Sequence, residues 1–292
     1  MRSSAAGRTV LTLIVGLATA PALAADVVGI AFVHGTGAQT NATEDYWQPA
    51  IIETVRQGLA DSRNHVVINC DFNQYMWQPE AAGCLAEQLA RFIDGRGITQ
   101  LDVITHSNGG NVMRWILSNP TYDSRYPGII ERVRKVTALA PSSAGTPLAD
   151  AVINGSSFET ALGWLLGYSS DAVRMQQVGQ MAIHNAQSLY GTAGRPALPR
   201  PFQAVVGSDV HSAVWSPGSY CGGYAANVGL EFTQNWLSTC SDGFLDCSSQ
   251  QAAGTVWFVD TARTRDAEPL SHNQSRRECF GLGTLLRDTL TP

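Results

Sequence analysis

The sequence predicts one α/β domain built on a mostly parallel sheet flanked by helices. Three observations carry this: short apolar runs bounded by glycine-containing turns, helical apolar spacing between those runs, and no internal repeat or low-complexity linker. At 292 residues the chain could form one large domain or two ordinary ones, and the unbroken alternation favours one. Its 44% hydrophobic and 15% charged residues exclude wholesale disorder. A net charge of −5 argues against a partner that needs a basic face, so no nucleic acid is expected.

The N-terminus reads as separate from the fold. Arg2 and Arg8 precede an apolar run from Val10 to Ala20, and Pro21 leads into Ala22-Leu23-Ala24. That is the pattern of a secretory signal peptide over 1–24, too short to span a membrane of about 20 helical residues. Its removal would take both arginines and move the net charge from −5 to −7. No later stretch reads as a membrane span. The product is expected to be secreted, extracellular or periplasmic, and monomeric. Cys70, Cys84, Cys221, Cys240, Cys247 and Cys279 are even in number, and an oxidising compartment favours three disulfides. Cys70 and Cys84 suit a local pair, while the connectivity of the other four stays open. No Cys/His cluster has metal-ligand spacing, so neither a metal nor a cofactor is expected.

The elements follow in order. Val27–Val33 reads as a buried strand ending in His34-Gly35-Thr36-Gly37. Tyr46–Ala60 has helical spacing with Pro49 near its start, His65–Cys70 is a second strand, and Glu80–Ile93 a second helix. Leu101–Thr105 is a third strand, followed at once by Ser107-Asn108-Gly109-Gly110 and a helix over Asn111–Ser118. Val133–Ala140, Pro201–Val206 and Gly254–Val259 complete the strands, with an irregular insertion near 142–200.

Chemistry is concentrated in three places. Ser107 sits between a strand and a helix, the setting of a nucleophile elbow, whose motif is G-x-S-x-G. Here it reads Thr105-His106-Ser107-Asn108-Gly109, so Thr105 replaces the first glycine and must find room. The loop His34–Gly37 follows the first strand, where backbone N–H groups can face the oxygen of a tetrahedral intermediate. Thr36 and Asn108 are the candidate oxyanion donors. Ser107 needs a general base and an orienting carboxylate. His184, His211 and His272 all follow the serine, and His272 lies where the base belongs, in a polar loop after the last strand and before the last helix. Asp209, Asp242, Asp246 and Asp260 compete as the acid. Asp242 is preferred, because it sits in a cysteine-flanked turn that a disulfide would hold rigid, and Asp209 is its rival.

Together, His34-Gly-Thr-Gly, Thr105-His-Ser-Asn-Gly-Gly, Ala144-Gly-Thr-Pro-Leu-Ala-Asp150, Asp242-Gly-Phe-Leu with Cys247-Ser-Ser, and Ser271-His resemble secreted bacterial triacylglycerol lipases. The resemblance covers most of 27–292 but is strong only at these motifs. It implies the α/β-hydrolase fold and serine esterase chemistry, with Ser107, Asp242 and His272 as triad and Thr36 and Asn108 as oxyanion donors. One branch of these lipases holds calcium through an acidic residue after the catalytic histidine. Asn273-Gln-Ser-Arg-Arg277 stands there instead, so no metal is expected. Lipase-like extracellular polyhydroxyalkanoate depolymerases are similar in plan, so both lipid and polyester esters are candidate substrates. A catalytically dead relative serving as a binding module is the other class of reading. The insertion at 142–200 is expected to form a cap or lid, with Trp164, Leu165 and Tyr168 on its acyl-binding face and Val173, Val178 and Met181 continuing its stripe. Trp215, Tyr220 and Trp236 could extend that wall.

Overall fold

A computed structural model describes residues 25–155, 170–210 and 221–290. Six strands form one sheet: β1 (Val28–Val33), β2 (His65–Val67), β3 (Gln100–His106), β4 (Val133–Leu139), β5 (Phe202–Val206) and β6 (Thr255–Val259). Their order is β2-β1-β3-β4-β5-β6, and every neighbouring pair is parallel. The expected mostly parallel sheet is therefore parallel throughout. Each strand lies within one to three residues of its expected span, because buried parallel strands read as continuous apolar runs.

Ten α-helices lie among the described residues. They are α1 (Pro49–Arg56), α2 (Cys84–Arg96), α3 (Gly109–Ser118), α4 (Tyr126–Arg132), α5 (Pro147–Ile153), α6 (Asp171–Met175), α7 (Val178–Gln187), α8 (Tyr224–Gln234), α9 (Cys247–Gln250) and α10 (Leu282–Asp288). The helix expected over Tyr46–Ala60 is shorter. A separate wide turn covers Thr43–Trp47, and Gln48, at φ +68°, breaks it from α1 just before Pro49.

Two large apolar clusters sandwich the sheet. One joins Val103, Val136 and Ala138 to Leu85, Leu89, Val112 and Ile116. The other joins Ile30, Phe32 and Ile104 to Trp47, Ile51, Val55 and Leu286. In a parallel sheet the loops at the carboxyl ends of the strands form a crevice where strand order reverses. The chain leaves β1 for β2 on one side and returns to β3 on the other, so the reversal falls between β1 and β3. Val33 pairs with Thr105 across it, which sets the His34 loop beside Ser107.

The three disulfides join Cys70 to Cys84, Cys221 to Cys279, and Cys240 to Cys247. No helix among the described residues is long and apolar enough to cross a membrane. Of the insertion, α5 and α6 contribute Leu148, Val152 and Val173 to a cluster with Leu230, Phe244 and Leu245. Val173 and Met181 are buried, but Val178 is exposed at the first residue of α7, so the expected stripe is interrupted there. Trp164, Leu165 and Tyr168, like Trp215, Tyr220 and His211, lie outside the described residues.

Candidate active site

Ser107 follows β3 in the left-handed region, at φ +52°. A non-glycine residue held there is strained, and such strain persists only where surroundings impose it. Its own N–H donates to the Leu139 carbonyl (3.0 Å), and its carbonyl accepts from the Gly110 N–H (3.0 Å). Of the two glycines on its far side, Gly109 is required. A Cβ on Gly109 would overlap the His34 carbonyl oxygen, and one on Gly110 would come within 3.4 Å of the Thr105 hydroxyl. Thr105 is fully buried beside Gly110, where an added Cβ would meet its hydroxyl only at van der Waals distance.

The loop after β1 is shaped from several sides. The His34 Nδ1–H donates to the Gly35 carbonyl (2.7 Å), and its Nε2 accepts from the Cys70 N–H (3.3 Å). The ring stacks on Phe72, and burial pushes its pKa down to about 4. The Gln39 N–H donates to the Cys70 carbonyl and the Phe72 N–H to the Gly37 carbonyl, so the loop pairs with a segment that Cys70–Cys84 anchors. The Thr36 hydroxyl accepts from the Gln176 amide (2.9 Å), a partner 140 positions away that the sequence does not reveal.

Asp242 and His272 meet directly. The Asp242 carboxylate is fully buried: its Oδ2 accepts from His272 Nδ1 (2.7 Å), and its Oδ1 accepts from the Phe244 (2.9 Å) and Leu245 (2.7 Å) N–H groups. The His272 N–H also donates to the Asp242 carbonyl (2.8 Å). Cys240–Cys247 closes the turn around Asp242, and Ser241 bridges to Asp246 inside it. His272 stacks on Phe244. Asp209 instead is exposed at the end of β5 and accepts from the Gln234 side chain (2.7 Å). Asp246 accepts from the Ser238 N–H, and Asp260 is buried against Ser208 and Leu270. His184 lies on α7 beside Trp77.

Ser107, His272 and Thr36 line one cavity of about 330 Å³, together with Tyr46, Phe244 and Arg276. His106 also borders it and is almost fully buried, its Nδ1 2.5 Å from the Tyr46 hydroxyl and its Nε2 2.9 Å from the His272 carbonyl. Burial holds the His106 ring well below the usual histidine range, and the nearby His272 and Arg276 add to this. Burial also raises the Tyr46 phenol. Arg276 donates to the Tyr46 carbonyl (2.7 Å), and its guanidinium stands 4.2 Å over the Tyr46 ring. Tyr46 and Gln176 lie outside every motif of the sequence, and Arg276 is signalled there only by the run Asn273-Gln-Ser-Arg-Arg277 after the histidine.

Residues 18–164 match a family model described as "Domain of unknown function (DUF7379)". The matched span includes the His34 loop and the Ser107 elbow and ends before Asp242. No curated protein matches the chain. Among solved structures, Bacillus licheniformis lipase BlEst2 in mature form superposes with a TM-score of 0.67 at 18% identity, over 90% of this chain and 92% of that one. The propeptide form gives 0.62 at 18%, over 90% of this chain and 50% of that one. The likeness is one of fold: a six-stranded parallel sheet flanked by helices, that of the α/β hydrolases.

Proposed function

The chain belongs to the DUF7379 family, and from the geometry of its site we propose that it is a secreted serine carboxylester hydrolase. The carrying observation is the 2.7 Å contact between His272 Nδ1 and a buried Asp242 carboxylate, on the rim of a cavity shared with the strained Ser107. In the reaction Ser107 Oγ attacks the acyl carbon while His272 Nε2 takes its proton, and Asp242 holds the imidazole in the tautomer this requires. The tetrahedral oxyanion takes hydrogen bonds from the Thr36 and Asn108 N–H groups. His272 then protonates the departing alkoxide, and water, activated by the same histidine, hydrolyses the acyl-enzyme.

Three disulfides favour export, because such bonds persist in oxidising compartments. The substrate class proposed is an acyl ester of lipid or polyester type. An organophosphonate should label Ser107, and Ser107→Ala should abolish both labelling and ester hydrolysis. An unlabelled serine, or hydrolysis that survives the substitution, would overturn the proposal. Parallel assays on soluble short-chain esters, triglyceride emulsions and polyester films would rank the substrates.

A further inference from the structure

Resting on the triad reading above, we infer that His106 is a positioning residue: it fixes the main chain of His272 over Ser107 and is itself held by Tyr46 and Arg276. A carbonyl oxygen only accepts, so the His106 Nε2 facing the His272 carbonyl must carry the proton. Nδ1 is then bare and accepts the Tyr46 hydroxyl. Burial, with His272 and Arg276 nearby, holds the ring well below the usual histidine range, in keeping with this neutral arrangement.

The point of action is the residue whose ring would serve as base. The N–H of His272 donates to the Asp242 carbonyl, and its carbonyl accepts from His106. With the peptide groups on both sides gripped, two side-chain torsions remain, and the bond to Asp242 Oδ2 sets them. The loop is also gripped four residues later. Arg276 Nη1 donates to the Tyr46 carbonyl, and its Nε and Nη2 donate to Asn273 Oδ1 (3.0 and 2.6 Å). Tyr46, His106, the 272–276 loop and Arg276 therefore close a ring of contacts. The same ring reaches the oxyanion side, since a Cβ on Gly35 would overlap the Tyr46 oxygen. Because His106 adjoins Ser107, one short network joins the mountings of nucleophile, base and oxyanion loop. A 1 Å misplacement of reacting groups costs about 10²-fold in rate, which is the scale such a network protects.

Two substitutions separate positioning from filling space. The Gln side-chain amide nitrogen falls near the position of imidazole Nε2, whereas that of Asn falls near Nδ1. His106→Gln therefore keeps the donor to the His272 carbonyl and His106→Asn loses it. With 4-nitrophenyl butyrate, kcat per organophosphonate-labelled site should fall about 10²-fold in His106→Asn and no more than about tenfold in His106→Gln, with KM within about threefold in both. Equal losses in the two variants, or none in either, would overturn the inference. Tyr46→Phe deletes one oxygen and keeps the ring, so it decides the matter should a His106 variant fail to fold. It should lower kcat about tenfold at unchanged KM, and an unchanged kcat would overturn the inference. Failure of the parent to label at Ser107 would instead overturn the triad reading and this inference with it.

Discussion

Replacing Asp242 by Asn tests the assignment of the acid at one atom. In the native turn Oδ1 accepts two backbone N–H groups, from Phe244 and Leu245, and Oδ2 accepts from His272 Nδ1. An asparagine in the same rotamer keeps its oxygen on the two amides, because its NH₂ there would meet two donors. Its NH₂ then faces Nδ1 and forces the imidazole to present a bare nitrogen. The ring proton moves to Nε2, the atom that must accept the Ser107 proton, so the base is in the wrong tautomer. A loss of roughly 10⁴-fold in kcat is expected for such a change. Asp209→Asn keeps an oxygen for the Gln234 amide on an exposed loop, and no step of the proposed reaction depends on its charge, so its kcat should stay within about twofold of the parent. The assay is kcat on 4-nitrophenyl butyrate for both variants, each checked for native circular dichroism and melting temperature. A larger loss at Asp209, or an Asp242→Asn variant that keeps more than a tenth of parental kcat, would refute the reasoning.

Four further outcomes are expected. Ser107→Ala should keep the native fold and lose several orders of magnitude in ester turnover, so near-parental kcat in a folded variant would reject the nucleophile. The oxidised mature protein should show no titratable thiol, and two or more per chain would contradict the three bridges; opening Cys240–Cys247 alone should lower stability by about 2.5 kcal/mol on loop-entropy grounds, read from urea unfolding. Burial depresses His34 to about 4, so the unfolded chain binds a proton that the native chain refuses between pH 6.5 and that value. The stability this histidine contributes is complete above pH 6.5 and declines by about 1.4 kcal/mol per pH unit as the solution is acidified; His34→Asn should flatten the urea-midpoint slope between pH 7 and 5, and parallel slopes would count against it.

The strands were readable because each is a short, mostly apolar run that ends at a turn. The helix α8 was not, because its solvent face carries Tyr224, Val228 and Phe232 while Asn227 and Thr233 turn inward, the reverse of the usual pattern. The candidate site divides along the same line. Ser107 and His272 each occupy a strand-end loop whose position the alternation of elements already dictates. The acid does not, since the long connection from β5 to β6 offers Asp209, Asp242 and Asp246, and only the folded path of the Cys240–Cys247 turn brings one of them to 2.7 Å from His272.

The supporting contacts are a different case. Tyr46 and His106 lie 60 positions apart, and Tyr46 and Arg276 lie 230 apart, on elements that meet only because strand order reverses between β1 and β3. No local periodicity carries such a pairing. The sequence does leave one trace of it: His106 is an ionisable residue at the end of β3 just before the elbow, and a histidine buried there must find partners for both ring nitrogens or destabilise the elbow. Its two partners turn out to be a hydroxyl from the turn before α1 and the carbonyl of the residue proposed as base. The need to satisfy one buried side chain thereby links the strand that presents Ser107 to the loop that must approach it, which is why the assembly of the site and the hydrogen bonding of His106 cannot be varied independently.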